Sequence, residues 1–169
     1  MALKRTPFYE CEAKMGGKFV DFGGWELPVK YTSDVEEHKI VRKGVGLFDV
    51  SHMGEIIIEG ENALKQVNYL VTNDVSALID GQILYTPMMN ETGGVVDDLL
   101  VYRVNQTKFF LVVNASNTEK DYNWMVSHNK YNQKITNVSA EYAQLAVQGP
   151  KSEAVLAKIF KDVNLTEIK

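Results

Sequence analysis

Cysteine is almost absent from this 169-residue chain, in which Cys11 stands alone. A lone cysteine cannot close an internal disulfide, which fits a reducing compartment. Nothing around it marks an activated thiolate, so a buried or inert thiol is expected. No apolar run approaches the length of a membrane span. The first residues, MALKRTP, lack an apolar h-region and do not read as a secretory signal. The cytoplasm is therefore the default compartment, with no membrane partner. Lys and Arg form no blocks, and the net charge is −4 with a pI of about 5.4, which argues against nucleic acid as a partner. A G-x-x-x-x-G-K phosphate loop and a G-x-S-x-G elbow are also missing. His38 and His52 have no metal-ligand spacing to the cysteine, and His128 falls in a polar helical stretch. No metal site is expected.

What is present is globular in character. Hydrophobic residues make up 45% and charged residues 24%, values that support a sizeable core rather than disorder. Residues 1–32 mix aromatics with Gly16, Gly17, Gly23, Gly24 and Pro28, and read as short strands and turns. Ser33 followed by Glu36 predicts a capping box and a helix that ends at Gly44. GEIIIE, 54–59, predicts a strand, and the spacing of Leu64, Val67, Leu70 and Val71 predicts a helix over 61–72. Three strands follow at 82–89, 94–104 and 108–114, joined by short turn-forming loops. They predict an antiparallel meander. Ser116 with Glu119 predicts a second capped helix, carrying Trp124 and Val126. Strands at 133–138 and 142–147 and a helix over about 151–160 complete the reading. The interleaving of helices with antiparallel hairpins predicts an α+β fold: an antiparallel β-meander sheet with flanking helices.

The most informative segment is GGVVDDLLVY, 93–102. Aspartate is depleted in strands, and a buried carboxylate without partners is costly. Alternation puts Asp97 and Asp98 on opposite faces, with Asp98, Leu100 and Tyr102 together on one of them. A four-residue loop at 90–93 would set Tyr85 opposite Asp98. A three-residue loop at 105–107 would set Asn114 opposite it on the other side. A phenol, a carboxylate and an amide in one row would suit a flat heterocycle. A one-residue slip in either hairpin would destroy the row. The alternative is that Asp98 caps a bulge or pairs with a nearby cation.

The stretches RTPFYE, FVDFGGWELPVKY, VRKGVGLFDVSHMGE, TNDV, GGVVDDLLVY, VVNASNTEKDYNW and AVQGP occur in this order along nearly the whole chain. Together they resemble the N-terminal portion of the glycine cleavage T-protein family. FDVSHM combined with GG-x-x-DDL is the specific pair. The resemblance implies transfer of an aminomethyl group from the lipoyl arm of the H-protein to tetrahydrofolate, with release of ammonia. It implies that Asp98 is the essential acid, and that Met53, Tyr85, Tyr102 and Asn114 also contact the folate. No metal is implied. It further implies three domains around a central folate: residues 1–50 begin the first, 51–140 form a folate-binding sheet and helix domain, and 141–169 return toward the first. Chain beyond Lys169 would complete the first domain and supply C-terminal domains, so the fragment alone is expected to be inactive. Two other readings stay open. One is a non-catalytic folate-binding module of the iron–sulfur maintenance type, which usually carries a Lys-Gly-Cys-Tyr-type motif not visible here. The other is the folate half of a demethylating dehydrogenase, whose upstream flavin domain does not fit a start at Met1.

Overall fold

The computed structural model describes residues 2–165, so the last four residues of the expected return segment lie outside the description. The chain divides into two compact units, Met1–His52 with Ala143–Lys169, and Met53–Tyr142.

The first unit opens with helix α1 (Tyr9–Lys14) and the hairpin of β1 (Lys18–Phe22) and β2 (Trp25–Lys30). Gly23 and Gly24 both adopt positive φ, 60° and 90°, as a two-residue hairpin turn with right-handed twist requires. Helix α2 (Asp34–Lys43) follows and ends at Gly44, as expected. Its capping differs from the expected box. The Ser33 side chain makes no cap hydrogen bond, and Glu37 rather than Glu36 folds back. The Glu37 Oε1 accepts from the backbone N–H of Tyr31 at 2.9 Å and of Thr32 at 2.5 Å, which holds its carboxyl below the usual range. Strand β3 (Gly46–Asp49) pairs antiparallel with β9 (Leu145–Gln148), and α5 spans Ser152–Ile159. Cys11 is exposed, which removes the buried alternative for that thiol. Helix α1 was not foreseen. At six residues it is too short to show a helical period.

The second unit contains β4 (Gly54–Glu59), α3 (Ala63–Leu70), β5 (Ile83–Met89), β6 (Val95–Asn105), β7 (Lys108–Val113), α4 (Thr118–Ser127) and β8 (Lys134–Asn137). The strands form one antiparallel sheet in the order β5-β6-β7-β4-β8. This is the α+β meander with flanking helices that the sequence predicted. Alternation divides the sheet's side chains. Ile56, Ile58, Leu99, Val101, Phe109, Leu111 and Val113 point to one face and are buried. Helix α3 supplies Ala63, Val67 and Leu70 to the same cluster at helical spacing, and α4 supplies Met125. Each fully buried side chain of this kind contributes about 1.5–3 kcal/mol.

Helix α4 starts later than predicted. Residues Ala115–Asn117 form a 3-10 turn, and Asn117, not Ser116, occupies the N-cap position. His128 is the residue just past the helix, not within it. The helix start lies close against β4 because Gly54 has no side chain. A Cβ there would sit 2.4 Å from Thr118 Oγ1 and 2.7 Å from Val113 Cγ2.

Candidate functional site

Asp98 lies near the start of β6 on the sheet face turned away from the core. Its neighbours follow from strand register, and the two hairpins behave differently. Between β6 and β7 the ladder runs Leu99↔Val113 and Leu100↔Val112, so one further step sets Asn114 beside Asp98 as predicted. The loop itself is shorter than the expected 105–107, since Asn105 pairs with Lys108 and Val104 forms a bulge. Between β5 and β6 the prediction is corrected. Pro87, not Tyr85, stands opposite Asp98, and Tyr85 stands opposite Leu100. The loop is one residue longer than expected, with Met89 pairing to Val95, and a bulge beside it adds another. The two shifts sum to an even step, which preserves the face.

Tyr85 therefore reaches Asp98 along the diagonal, and its hydroxyl donates to Asp98 Oδ2. That hydrogen bond, with some burial, raises the phenol above its ordinary range. The Asn114 amide Nδ2 donates to Asp98 Oδ1 at 2.8 Å and lies 3.1 Å from the Asp98 carbonyl oxygen. Both carboxylate oxygens are thus held, while each keeps lone-pair capacity for a further donor. Tyr102 lies two rows along the same face. Its ring meets Phe110 edge-on at 5.9 Å, and burial raises its hydroxyl. Met53 directly precedes Gly54, which pairs with Val113, so one further step sets Met53 beside Asn114. Met53 is half-buried. All five residues singled out in the sequence belong to the second unit, and register places all five on one face of its sheet. Hydrogen bonds join only Tyr85, Asp98 and Asn114; Tyr102 and Met53 share the face without bonding to them.

Three polar residues near this site were not foreseen. Glu55 is 1% exposed, on the Asp98 face, and neither of its oxygens has a hydrogen-bond partner. Burial pushes its carboxyl up to about 7. The signal was available: alternation in GEIIIE puts Glu55 on the face of Met53. Asn117 and Asp121 lie on the other side of the sheet, where Asp97 points. Asp121 is 0% exposed, and burial first, then the neighbouring Asp97, pushes its carboxyl up to about 8. Burial also pushes Asp97 upward. Hydrogen bonds shared with Asp121 and received from Asn114 and Asn117 outweigh it and leave Asp97 lowered. Among the described residues, no group of three or more His, Cys, Asp or Glu is arranged to hold a metal ion. Among the same residues no helix is long and apolar enough to cross a membrane.

A sequence profile of the GCVT N-terminal domain matches residues 8–169. The chain belongs to the GCVT N-terminal domain family. Its relatives in that family include the aminomethyltransferase of Bacillus mycoides, 54% identical over 169 residues, which are 100% of this chain and 46% of the relative. The aminomethyltransferase of Halothermothrix orenii is 50% identical over 99% of this chain and 46% of its own length. The chain thus spans about half the length of the curated relatives it matches. Among solved structures, the glycine cleavage system aminomethyltransferase T of Bartonella henselae superposes with a TM-score of 0.87 at 37% identity, covering 92% of this chain and 43% of that one. The heterotetrameric sarcosine oxidase of a Corynebacterium species superposes at 0.57 with 13% identity, a likeness of fold alone.

Proposed function

We propose that the Asp98 face of the second unit binds tetrahydrofolate within a longer aminomethyltransferase. The full protein would move an aminomethyl group from the lipoyl arm of the H-protein to tetrahydrofolate. The carbon–sulfur bond to the lipoyl thiol breaks, the carbon bonds to the folate nitrogens, ammonia leaves, and the arm is left as a dithiol. The observation that carries this reading is the fixed carboxylate of Asp98. Tyr85 and Asn114 hold its two oxygens on an open face beside aromatic and thioether side chains.

The chemistry asks for such a group. A ring nitrogen of the acceptor must attack while positive charge develops, and a carboxylate held in place orients the ring and stabilises that charge. Its orientation costs nothing at the moment of reaction, because the phenol and the amide have already fixed it. Met53 offers a polarizable surface for a flat ring. The lone exposed thiol of Cys11 fits a reducing compartment, and we place the reaction in the cytoplasm. We assign this 169-residue chain half of the site and no turnover of its own.

The test is tetrahydrofolate-dependent release of ammonia from aminomethylated H-protein by the full-length protein. Asp98→Asn is expected to lower kcat by about 100-fold or more, the scale of losing a preorganised charged group. Full activity in that variant removes Asp98 from the reaction. No activity in the unaltered full-length protein removes the transferase assignment and favours a non-catalytic folate-binding module.

A further inference from the structure

The sheet that carries Asp98 has a second pair of carboxyl groups behind it. Asp97 points to the core side and is 8% exposed, and Asp121 on α4 meets it there at 0% exposed. Asp97 Oδ1 accepts from Asn114 Nδ2 at 3.0 Å and from Asn117 Nδ2 at 3.0 Å. Asp97 Oδ2 and both oxygens of Asp121 accept no hydrogen bond from any other described group. Lys120 Nζ pairs with Asp121 Oδ1 at 3.3 Å and also donates to the carbonyl of Val96. Among the described residues, the charged group beside the pair is Lys120, from α4, while Asp98, the next residue of β6, gives its backbone N–H to Asp97. The remaining polar neighbours are the neutral amides of Asn114 and Asn117. The Asp97 partner on β5 is Met88, which is apolar.

Two buried carboxylates facing each other with one lysine nearby cannot both stay ionised at low cost. One proton placed between them satisfies Asp97 Oδ2 and one oxygen of Asp121. It leaves Asp97 as the charged acceptor and Asp121 as the donor. The Asn114 amide then donates across the sheet, to Asp97 Oδ1 on the core side and to Asp98 Oδ1 on the open side. Its position depends on both.

We propose that Asp97 and Asp121 share one proton, and that this pair is a positioning device that holds Asn114 and, through it, Asp98 for reaction. The catalytic half of this statement rests on the folate reading of the Asp98 face. The shared proton does not. Asp121 has its folded value raised to about 8, so the proton is held at neutral pH and is lost as pH rises through about 8. Above that value two like charges confront each other, and the amide anchor shifts.

The test has two arms. The first is carbon-13 NMR titration of aspartate carboxyls in the protein without substrate. One aspartate is expected to titrate near pH 8 and to vanish from the spectrum in Asp121→Asn. The absence of any aspartate titrating above about pH 6 overturns the shared proton, whatever the enzyme does. The second is the pH profile of tetrahydrofolate-dependent ammonia release by the full-length protein. The unaltered enzyme is expected to lose kcat on the alkaline side near pH 8. Asp121→Asn replaces the shared proton with a permanent donor and should remove that decline. Asp121→Ala has no donor and should lower kcat by about tenfold or more at neutral pH with little change in KM. An alkaline decline that persists unchanged in Asp121→Asn overturns the positioning role, as does an Asp121→Ala variant with full kcat. Should Asp121→Ala fail to fold, the Asp121→Asn profile and the titration decide alone. Full activity in Asp98→Asn would instead sink the folate reading and leave the carboxyl titration standing.

Discussion

The two compact units of this chain are built on different terms. The unit 53–142 has a continuous core from Ile56 to Met125, with α3 and α4 laid on one sheet face. In the other unit Leu27 is the only apolar side chain that is buried among the described residues, while Val35, Ile40, Leu47, Phe48 and Ile159 stand exposed. Helices α2 and α5 contain no buried residue. Both units have regular hydrogen-bonded elements, so hydrogen bonding alone does not make a core. Apolar faces must meet. All the residues proposed to bind folate lie in the unit that has its own core. The geometry of the site is therefore underwritten locally.

The comparison breaks most visibly under truncation. Phe109→Ala removes a ring at the centre of the sheet and is expected to cost about 3–5 kcal/mol, read from urea unfolding. Leu27→Ala should fall at the low end for a leucine, about 2 kcal/mol, because its surroundings are open enough to relax. Equal losses would mean that the thin unit is better packed than its exposure suggests.

Buried acids sharpen the contrast. Each unit has a buried glutamate with an unsatisfied oxygen. Glu12 in the first is raised by burial and by Asp49, and is partly relieved by the Tyr31 hydroxyl, 3.4 Å away. Glu55 in the second has no such relief and is raised to about 7. A raised carboxyl binds its proton more tightly in the folded state. Its contribution is complete below the ordinary carboxylate range and is lost as pH rises through the folded value. Melting temperature should therefore fall between about pH 5 and about pH 8, and Glu55→Gln should flatten that slope. The gain at the alkaline end should be several degrees, and larger than for Glu12→Gln. A Glu55→Gln variant with an unchanged slope would contradict the assignment.

The smallest effect is expected at Lys39, whose ammonium pairs with Glu36 at 2.8 Å across an exposed helix turn. Lys39→Ala should change stability by about 0.5 kcal/mol or less. A larger loss would show that α2 depends on its surface pairs because it buries nothing.

Much of the cored unit was legible in the sequence. GEIIIE gave β4 with its observed limits, because a run of β-branched residues favours extended backbone. The β6–β7 register beyond its bulge also followed from a short loop. The β5–β6 register did not, since a loop one residue longer and a bulge leave no mark in residue type. The face of Tyr85 survived only because the two errors added to an even number. Asp121 was invisible for another reason. An acid in the first turn of a polar helix reads as a favourable dipole contact with solvent, and only tertiary packing shows it buried. In the first unit, α1 was missed, and Ser33 holds the N-cap position of α2 as expected while the glutamate that folds back is Glu37 rather than Glu36. There, short elements and weak packing leave local signals to compete.

A β-sheet ordinarily insulates what happens above it from what happens below, since successive side chains are dealt to opposite sides. At Asn114 that insulation fails. One amide, standing just past the end of β7, touches a carboxylate from each side of β6. A change in the dry interior is thereby felt on the wet surface over the thickness of a single strand. Sequence drift in the core of this unit is then not silent for its chemistry: a substitution that resets the ionisation of Asp97 alters the surface acid without touching it.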